Sequence, residues 1–252
     1  MTRSPFDLTG RRAVVTGAGR GLGRAIAVGL AEAGADLILL GRAASQKSTR
    51  DQVAALGRDV EIVDLDVADH DAIARAADRV NRDHQVDVLV NNAGIIDRQD
   101  STDVTRRSWD RVVDVNLNGL FFLCQEFGRP MTRRGHGKIV SVASLLSFQG
   151  GIRVASYAAS KHGVAGVTKA LANEWGPLGV QVNAIAPGYI ATDNTTALRE
   201  DPDRSRAILE RIPAGRWGDP ADIAGAAVFL SSAAADYVNG HVLVVDGGWM
   251  AR

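Results

Sequence analysis

Seven short apolar runs, each parted from the next by a longer stretch of helical character, constrain most tightly what this chain can fold into. They read RAVVTG, DLILLG, VEIVDLD, VDVLVNNAG, GKIVSVAS, VQVNAIAPG and HVLVVDGG. Near-continuous apolar runs that alternate with helices are the pattern of βαβ units, in which a parallel sheet is covered by helices on both faces. The chain has 252 residues, enough to bury one sizeable core. No Pro/Gly/Ser-rich linker and no repeat of solenoid period divides it, so residues 1–252 are predicted to form one seven-stranded α/β domain. Residues 188–213 form the one long stretch without a clear pattern and are predicted to be an irregular loop serving as a substrate lid.

The charge balance excludes several function classes. Lys plus Arg number 29 and Asp plus Glu number 29, which leaves no basic footprint for nucleic acid. The doublets Arg106-Arg107 and Arg133-Arg134 are therefore predicted to be solvated faces. Cys124 is the only cysteine and stands inside the apolar run LFFLCQ, so it is read as a packing residue of a chain suited to a reducing compartment. No run approaches the roughly 18 apolar residues of a membrane span, and the first ten residues lack a signal-peptide core. A soluble cytoplasmic protein with a small-molecule substrate, no nucleic-acid partner and no membrane association is expected. The five histidines are scattered without metal-ligand spacing, and no metal is expected.

The first predicted strand runs into TGAGRGLGRAIAVGLAEAGA, a glycine-rich turn followed by an apolar-periodic helix. Such a turn lets backbone approach a pyrophosphate, and free amides and the dipole of the helix N-terminus then stabilise the anion. The spacing is Gly17-x-x-x-Gly21-x-Gly23, with Leu22 where the generic dinucleotide fingerprint read from Gly17 has glycine. By itself the turn is equally a tight βα connection, but its place in the first βα unit favours a dinucleotide. NNAG at residues 91–94 ends the fourth predicted strand, and Pro187-Gly188 ends the sixth. Both fall at the carboxyl edge of the sheet, where open α/β folds bind ligands. In SYAASKHGVAG, Tyr157 stands four residues ahead of Lys161, so both side chains share one helix face. A lone pair of this kind is ordinarily a surface contact.

Taken in order along the chain, these pieces resemble the short-chain dehydrogenase/reductase family. The matching segments are TGAGRGLG, LDV (residues 65–67), NNAG, VNLNG (115–119), SVAS ending at Ser144, Tyr157-x-x-x-Lys161 and PGYIAT ending at Thr192. The resemblance implies a single Rossmann-type, doubly wound sheet of strand order 3-2-1-4-5-6-7, assembled as a homotetramer. It implies NAD(P)H as cofactor, held by Gly17, Arg20, Gly21, Leu22, Gly23, Arg42, Asp66, Val67, Asn92, Ala93, Gly94, Tyr157, Lys161, Pro187, Gly188, Ile190 and Thr192. It further implies a catalytic set of Asn116, Ser144, Tyr157 and Lys161. Tyr157 would exchange a proton with the substrate oxygen, its phenol biased toward ionisation by the Lys161 ammonium. Ser144 would hydrogen-bond that oxygen. Asn116 would hold a water near the lysine, or else simply bond to neighbouring backbone.

Within the family, the second half is similar to the sugar-acid branch, the 2-dehydro-3-deoxy-D-gluconate 5-dehydrogenases, also called 2-deoxy-D-gluconate 3-dehydrogenases. The segments that carry this are SFQGGIRVASYAASK, NEWGPLGVQVNAIAPGYIATDNT, ERIPAGRWGDPADI, ADYVNG and VDGGWMAR. A 3-oxoacyl thioester reductase and a catalytically silent cofactor-sensing module are the alternatives. The loop joining Ser144 to Tyr157 must run beside the reacting carbonyl, so Arg153 is expected to hold a substrate carboxylate and Gln149 a sugar hydroxyl. Arg98 and Arg216 are competing anchors. Arg42 after the second strand and Arg20 in the glycine turn suit the 2′-phosphate of NADP, whereas the sugar-acid branch is associated with NAD.

Overall fold

A computed structural model of the chain describes residues 4–252. All seven expected strands form: β1 (Arg12–Thr16), β2 (Asp36–Leu40), β3 (Val60–Val63), β4 (Val88–Asn91), β5 (Gly137–Val142), β6 (Val180–Pro187) and β7 (Val242–Val245). They pair in the order β3-β2-β1-β4-β5-β6-β7, every pairing parallel. Nine α-helices connect them among the described residues: α1 (Gly21–Glu32), α2 (Ala43–Ala55), α3 (His70–Asp83), α4 (Arg106–Val113), α5 (Gly119–Arg134), α6 (Ala155–Trp175), α7 (Thr196–Arg199), α8 (Pro202–Arg211) and α9 (Pro220–Ser231). None is long and apolar enough to cross a membrane.

The strands lack polar alternation because both of their faces are covered. Val14, Ile38, Leu89 and Ile139 face a cluster that includes Val80 of α3, Phe127 of α5 and Val164 of α6. Their neighbours Ala13, Val15, Leu39 and Val140 face the opposite cluster, built on Ile26 and Leu30 of α1 and Ile223 of α9. Cys124 is buried in the first cluster, and burial pushes its thiol up to about 12, as fits a packing residue.

Two expectations are corrected. Residues 188–213 are not irregular: a 3₁₀ turn (Asp193–Thr195), α7 and α8 occupy most of the stretch. Asp201 starts α8 by accepting hydrogen bonds from Asp203 N and Arg204 N, both 3.1 Å, with Pro202 at the first helical position. The helix buries no residue completely, which is why its apolar periodicity is faint. Arg134 is half-buried rather than solvated; its guanidinium donates to the Val86 carbonyl, and burial lowers its pKa.

The α4–α5 boundary fixes how closely the helices approach the site. A π-helical turn (Asp114–Asn118) joins the two, and Gly119 opens α5 against the carbonyl of Val67. A methyl on Gly119 would lie 2.2 Å from that oxygen. Gly119→Ala is therefore expected to cost about 1–3 kcal/mol in a urea unfolding series. Gly225→Ala in α9, where an added methyl meets nothing within 4 Å, is expected to gain about 0.5–1 kcal/mol. A neutral Gly119→Ala would contradict this packing.

Candidate functional site

Strand order reverses between β1 and β4, so the chains leaving these two strands separate and open a crevice at the carboxyl edge. Its floor is tightly bonded. The Thr16 hydroxyl accepts from both Asn92 N and Ala93 N at 3.0 Å, while Asn92 Nδ2 donates to Thr16 O at 2.9 Å and Gly17 O at 3.1 Å. Gly17 has φ 65° and Gly21 φ 52°, both in the left-handed region that glycine tolerates. A methyl at Gly23 would stand 2.3 Å from Gly17 O, so this position accepts only hydrogen. At the start of α1 no side chain caps the helix and no acidic residue sits in the first turn. The first amides, including those of Gly21, Leu22 and Gly23, are left for an anion. A dinucleotide pyrophosphate fits these residues.

The other expected cofactor residues lie at or just beyond the carboxyl ends of strands in the same sheet. Arg42 precedes α2 at the end of β2, exposed, and its guanidinium has no partner among the described residues. Arg20 is instead paired with Asp193 at 2.9 Å, a bridge from the glycine turn to the 188–213 segment. Asp66 accepts from Ala68 N at 3.0 Å, and Val67 beside it is buried. Gly188 N bonds Val245 O at 2.9 Å, Ile190 bridges to Gly218, and Thr192 stands next to Gly21. Pro187 is the last residue of β6.

Asn116, Ser144, Tyr157 and Lys161 converge from three elements. Ser144 follows β5 and caps a 3₁₀ turn (Leu145–Ser147), its hydroxyl accepting from Leu146 N at 3.1 Å. Tyr157 and Lys161 project from the first turns of α6, with the ammonium 5.6 Å from the phenol ring centroid. Lys161 is buried and donates to Val142 O at 2.6 Å. Ser147 Oγ donates to the Lys161 carbonyl at 2.7 Å, which ties α6 to the turn after β5. Asn116 lies in the π-helical turn, fully buried; its Oδ1 accepts from Ile95 N at 2.8 Å and its Nδ2 donates to Ile95 O at 2.9 Å and Ser160 Oγ at 3.2 Å. The backbone contact considered for Asn116 is thus the one it makes.

The electrostatics differ from the simple bias read from the sequence. Burial raises the Tyr157 pKa, while a hydrogen bond from Ser144 and the charge of Arg98 pull it down. Burial also pushes Lys161 down to about 8. The net shift is upward, so the phenol keeps its proton at neutral pH, and Arg98 adds a cationic influence that the sequence did not indicate.

Each of the three arginines expected to anchor a substrate carboxylate has a partner. Arg216 is committed to the start of α9: it grips Asp222 with two contacts of 2.7 and 2.9 Å and holds that carboxyl down at about 2. Arg98 donates to Asn194 O at 3.3 Å. Arg153 pairs with Asp100 at 3.1 Å across an exposed contact, and its carbonyl accepts from Gln99 N at 3.0 Å. Among the described residues Arg153 is the one non-glycine with positive φ, at 64°. Such a conformation costs on the order of 1 kcal/mol, and an exposed ion pair returns about 0–1 kcal/mol, so stability alone gives no reason for arginine there. Gln149 accepts from Trp249 Nε1 at 3.4 Å. Sequence reading left Arg98 as a mere competitor and gave Trp249 no role, since contacts 59 and 100 residues apart along the chain leave no local pattern. Among the described residues no group of three or more His, Cys, Asp or Glu is placed to hold a metal.

Lys161 makes a pH-dependent prediction. Its folded pKa of about 8 lies below the ordinary value of 10.5, so between these two the unfolded chain carries a proton that the folded chain has released. Stability contributed through this residue is lowest below pH 8 and rises with pH across that window. Lys161→Met should accordingly be more stable than the parent at pH 7, by a margin that shrinks toward pH 10. A margin constant in pH, in paired urea titrations, would refute the buried ammonium.

Comparison with known proteins agrees with this geometry. Residues 17–250 match a family model described as enoyl-(acyl carrier protein) reductase. The chain is 54% identical over 247 residues to the 2-dehydro-3-deoxy-D-gluconate 5-dehydrogenase of Bacillus subtilis, covering 98% of this chain and 97% of that one. It is 49% identical to the Escherichia coli enzyme of the same name, covering 100% of both chains. A crystal structure of a gluconate 5-dehydrogenase from Burkholderia cenocepacia in complex with NADP and tartrate superposes with a TM-score of 0.95 at 40% identity, covering 98% of each chain. The crevice at the β1/β4 reversal, the Tyr157–Lys161 pair beside Ser144 and these full-length similarities lead to one conclusion: the chain belongs to the short-chain dehydrogenase/reductase family.

Proposed function

We propose that this chain is an NAD(P)-dependent oxidoreductase acting on a secondary alcohol or ketone of a deoxy sugar acid, of the 2-dehydro-3-deoxy-D-gluconate or 2-deoxy-D-gluconate type. The observation that carries the reading is the meeting of a buried Lys161 with the Tyr157 ring, the Ser144 hydrogen bond to that phenol and the Arg98 charge acting on it. The relatives from Bacillus subtilis and Escherichia coli bear the name of that activity. Tartrate, a hydroxy acid with two carboxylates, accompanies NADP in the Burkholderia structure.

The residues divide the work as follows. The glycine turn at 17–23, Asp66, Val67, Asn92, Ala93, Gly94, Pro187, Gly188, Ile190 and Thr192 would hold the dinucleotide. When bound, the nicotinamide supplies or accepts the hydride. Tyr157 gives its proton to the carbonyl oxygen in reduction and takes it back in oxidation, Ser144 donates a hydrogen bond to the same oxygen, and the Lys161 ammonium stabilises the phenolate that remains. Asn116 fixes Ile95 and Ser160 around this centre. Residues 188–213 close over the substrate as a lid, tied to the cofactor turn through Arg20–Asp193 and to the β4 loop through Arg98–Asn194. The homotetramer and the cytoplasmic setting that accompany the family resemblance belong to the same proposal.

The cofactor preference proposed is for NADP(H), carried by the unpaired Arg42 guanidinium at the end of β2. Arg42→Ala should lower kcat/KM for NADP by roughly 10- to 100-fold, the worth of a charged hydrogen bond, and leave that for NAD nearly unchanged. A strong NAD preference untouched by the substitution would refute the phosphate role.

The substrate class is tested at Arg153. Its ion pair with Asp100 is exposed and available for exchange. Arg153→Ala should raise KM for a keto-sugar acid by at least about tenfold and barely change it for a neutral keto-sugar of similar size. Equal losses on both would assign Arg153 to the fold, and turnover of uncharged ketones alone would overturn the sugar-acid reading.

A further inference from the structure

A third apolar cluster, separate from the two that flank the sheet, gathers Leu145, Ile212 and Trp249, with Tyr189 and Ile208 packed on it. Its members come from the turn after Ser144, from α8 and its end, from the loop after β6 and from the segment after β7. Residues 246–252 form a compact wedge against α8 and its end. The Asp246 carboxylate accepts from Gly248 N and Met250 N, both 2.8 Å, and Gly247 and Gly248 turn the chain with φ of 66° and 94°. Gly247 O accepts from Ala214 N at 3.0 Å, and a methyl on Gly248 would stand 2.9 Å from Pro213, so the wedge abuts the end of the proposed lid. The Arg211 guanidinium of α8 lies 4.1 Å from the Trp249 ring centroid. Trp249 is thereby held from two sides, buried, with little freedom to turn.

That fixed indole meets Gln149. An indole N–H is a donor only, so the end of the Gln149 amide that faces it must be the oxygen, as the 3.4 Å contact from Nε1 to Oε1 has it. Nε2, with two N–H groups, has no acceptor among the described residues. Without the tryptophan the amide would be free to present either end.

We infer that Trp249 is a positioning residue for substrate selectivity: its indole N–H sets the polarity of Gln149, so that the loop between Ser144 and Tyr157 offers N–H donors to an acceptor-only group, the substrate carboxylate. The inference rests on the proposed reading that this loop touches the substrate, and it alters one part of it, since the amide donates to a carboxylate instead of serving a sugar hydroxyl.

Trp249→Phe tests it: the N–H goes with the pyrrole ring, while an aromatic ring remains against Arg211 and Tyr189, and a Gln149→Ala background separates the lost N–H from the lost packing. With 2-deoxy-D-gluconate and saturating cofactor, KM should rise roughly three- to tenfold, with kcat within about twofold of the parent. In a Gln149→Ala background the same substitution should change KM no further. If Gln149→Ala raises KM and Trp249→Phe does not, the positioning role is refuted while the loop reading stands. If Trp249→Phe raises KM equally in both backgrounds, the tryptophan acts through packing alone and the inference is overturned. If Gln149→Ala leaves KM unchanged, the loop reading falls and takes the inference with it.

Discussion

Two parallel strands that share an edge but belong to halves wound in opposite directions must send their chains apart, and the gap above β1 and β4 is the constraint on which this structure depends. One hydroxyl, that of Thr16, holds the floor of the gap by accepting two successive amides from the β4 side, and Asn92 answers by bonding back to the β1 side. Because the clamp is made of short, directional bonds, the glycine turn sits at a fixed distance from Ala93 and has room for nothing larger than hydrogen at Gly23. The uncapped start of α1 then faces the crevice as a ready anion site.

The remaining site residues are held in arrangements that stability alone would not select. An ammonium is buried at the head of α6 with one carbonyl and one aromatic ring for company, and its pKa falls in consequence. Asn116 occupies a π-helical turn, a local departure from α-helical bonding that is frequent at functional sites, and spends its whole amide on holding the β4 loop and Ser160. Arg153 takes a left-handed conformation that its exposed ion pair with Asp100 does not repay. Each is an observed departure from the favoured conformation or solvation, the kind of cost that sites of function carry.

The strands were legible because their burial on two faces writes uninterrupted apolar runs, and the shared face of Tyr157 and Lys161 because a helical spacing of four puts them there, whereas the role proposed for the pair came from the family resemblance. α8 was not legible: it lies on the surface with few apolar positions, although Asp201-Pro202 at its start is a recognisable helix signal. Arg98 and Trp249 escaped because their partners are distant in sequence, the phenol of Tyr157 in one case and the amide of Gln149 in the other. Arg134, read as solvated from its charge, is drawn inward to the Val86 carbonyl just ahead of β4. Local pattern reports which face of an element is covered, and long-range polar contacts leave no such trace.

The central claim is that the Tyr157 phenol, poised over Lys161, carries the proton of the reaction. The most direct measurement compares Tyr157→Phe with the parent in steady-state turnover of 2-deoxy-D-gluconate, alongside NADPH binding followed by nicotinamide fluorescence. The account predicts a loss of kcat of at least about 10²-fold, with cofactor affinity retained, since one hydroxyl is removed and the ring still fills its place. A folded Tyr157→Phe protein that turns over at close to the parent rate would contradict it.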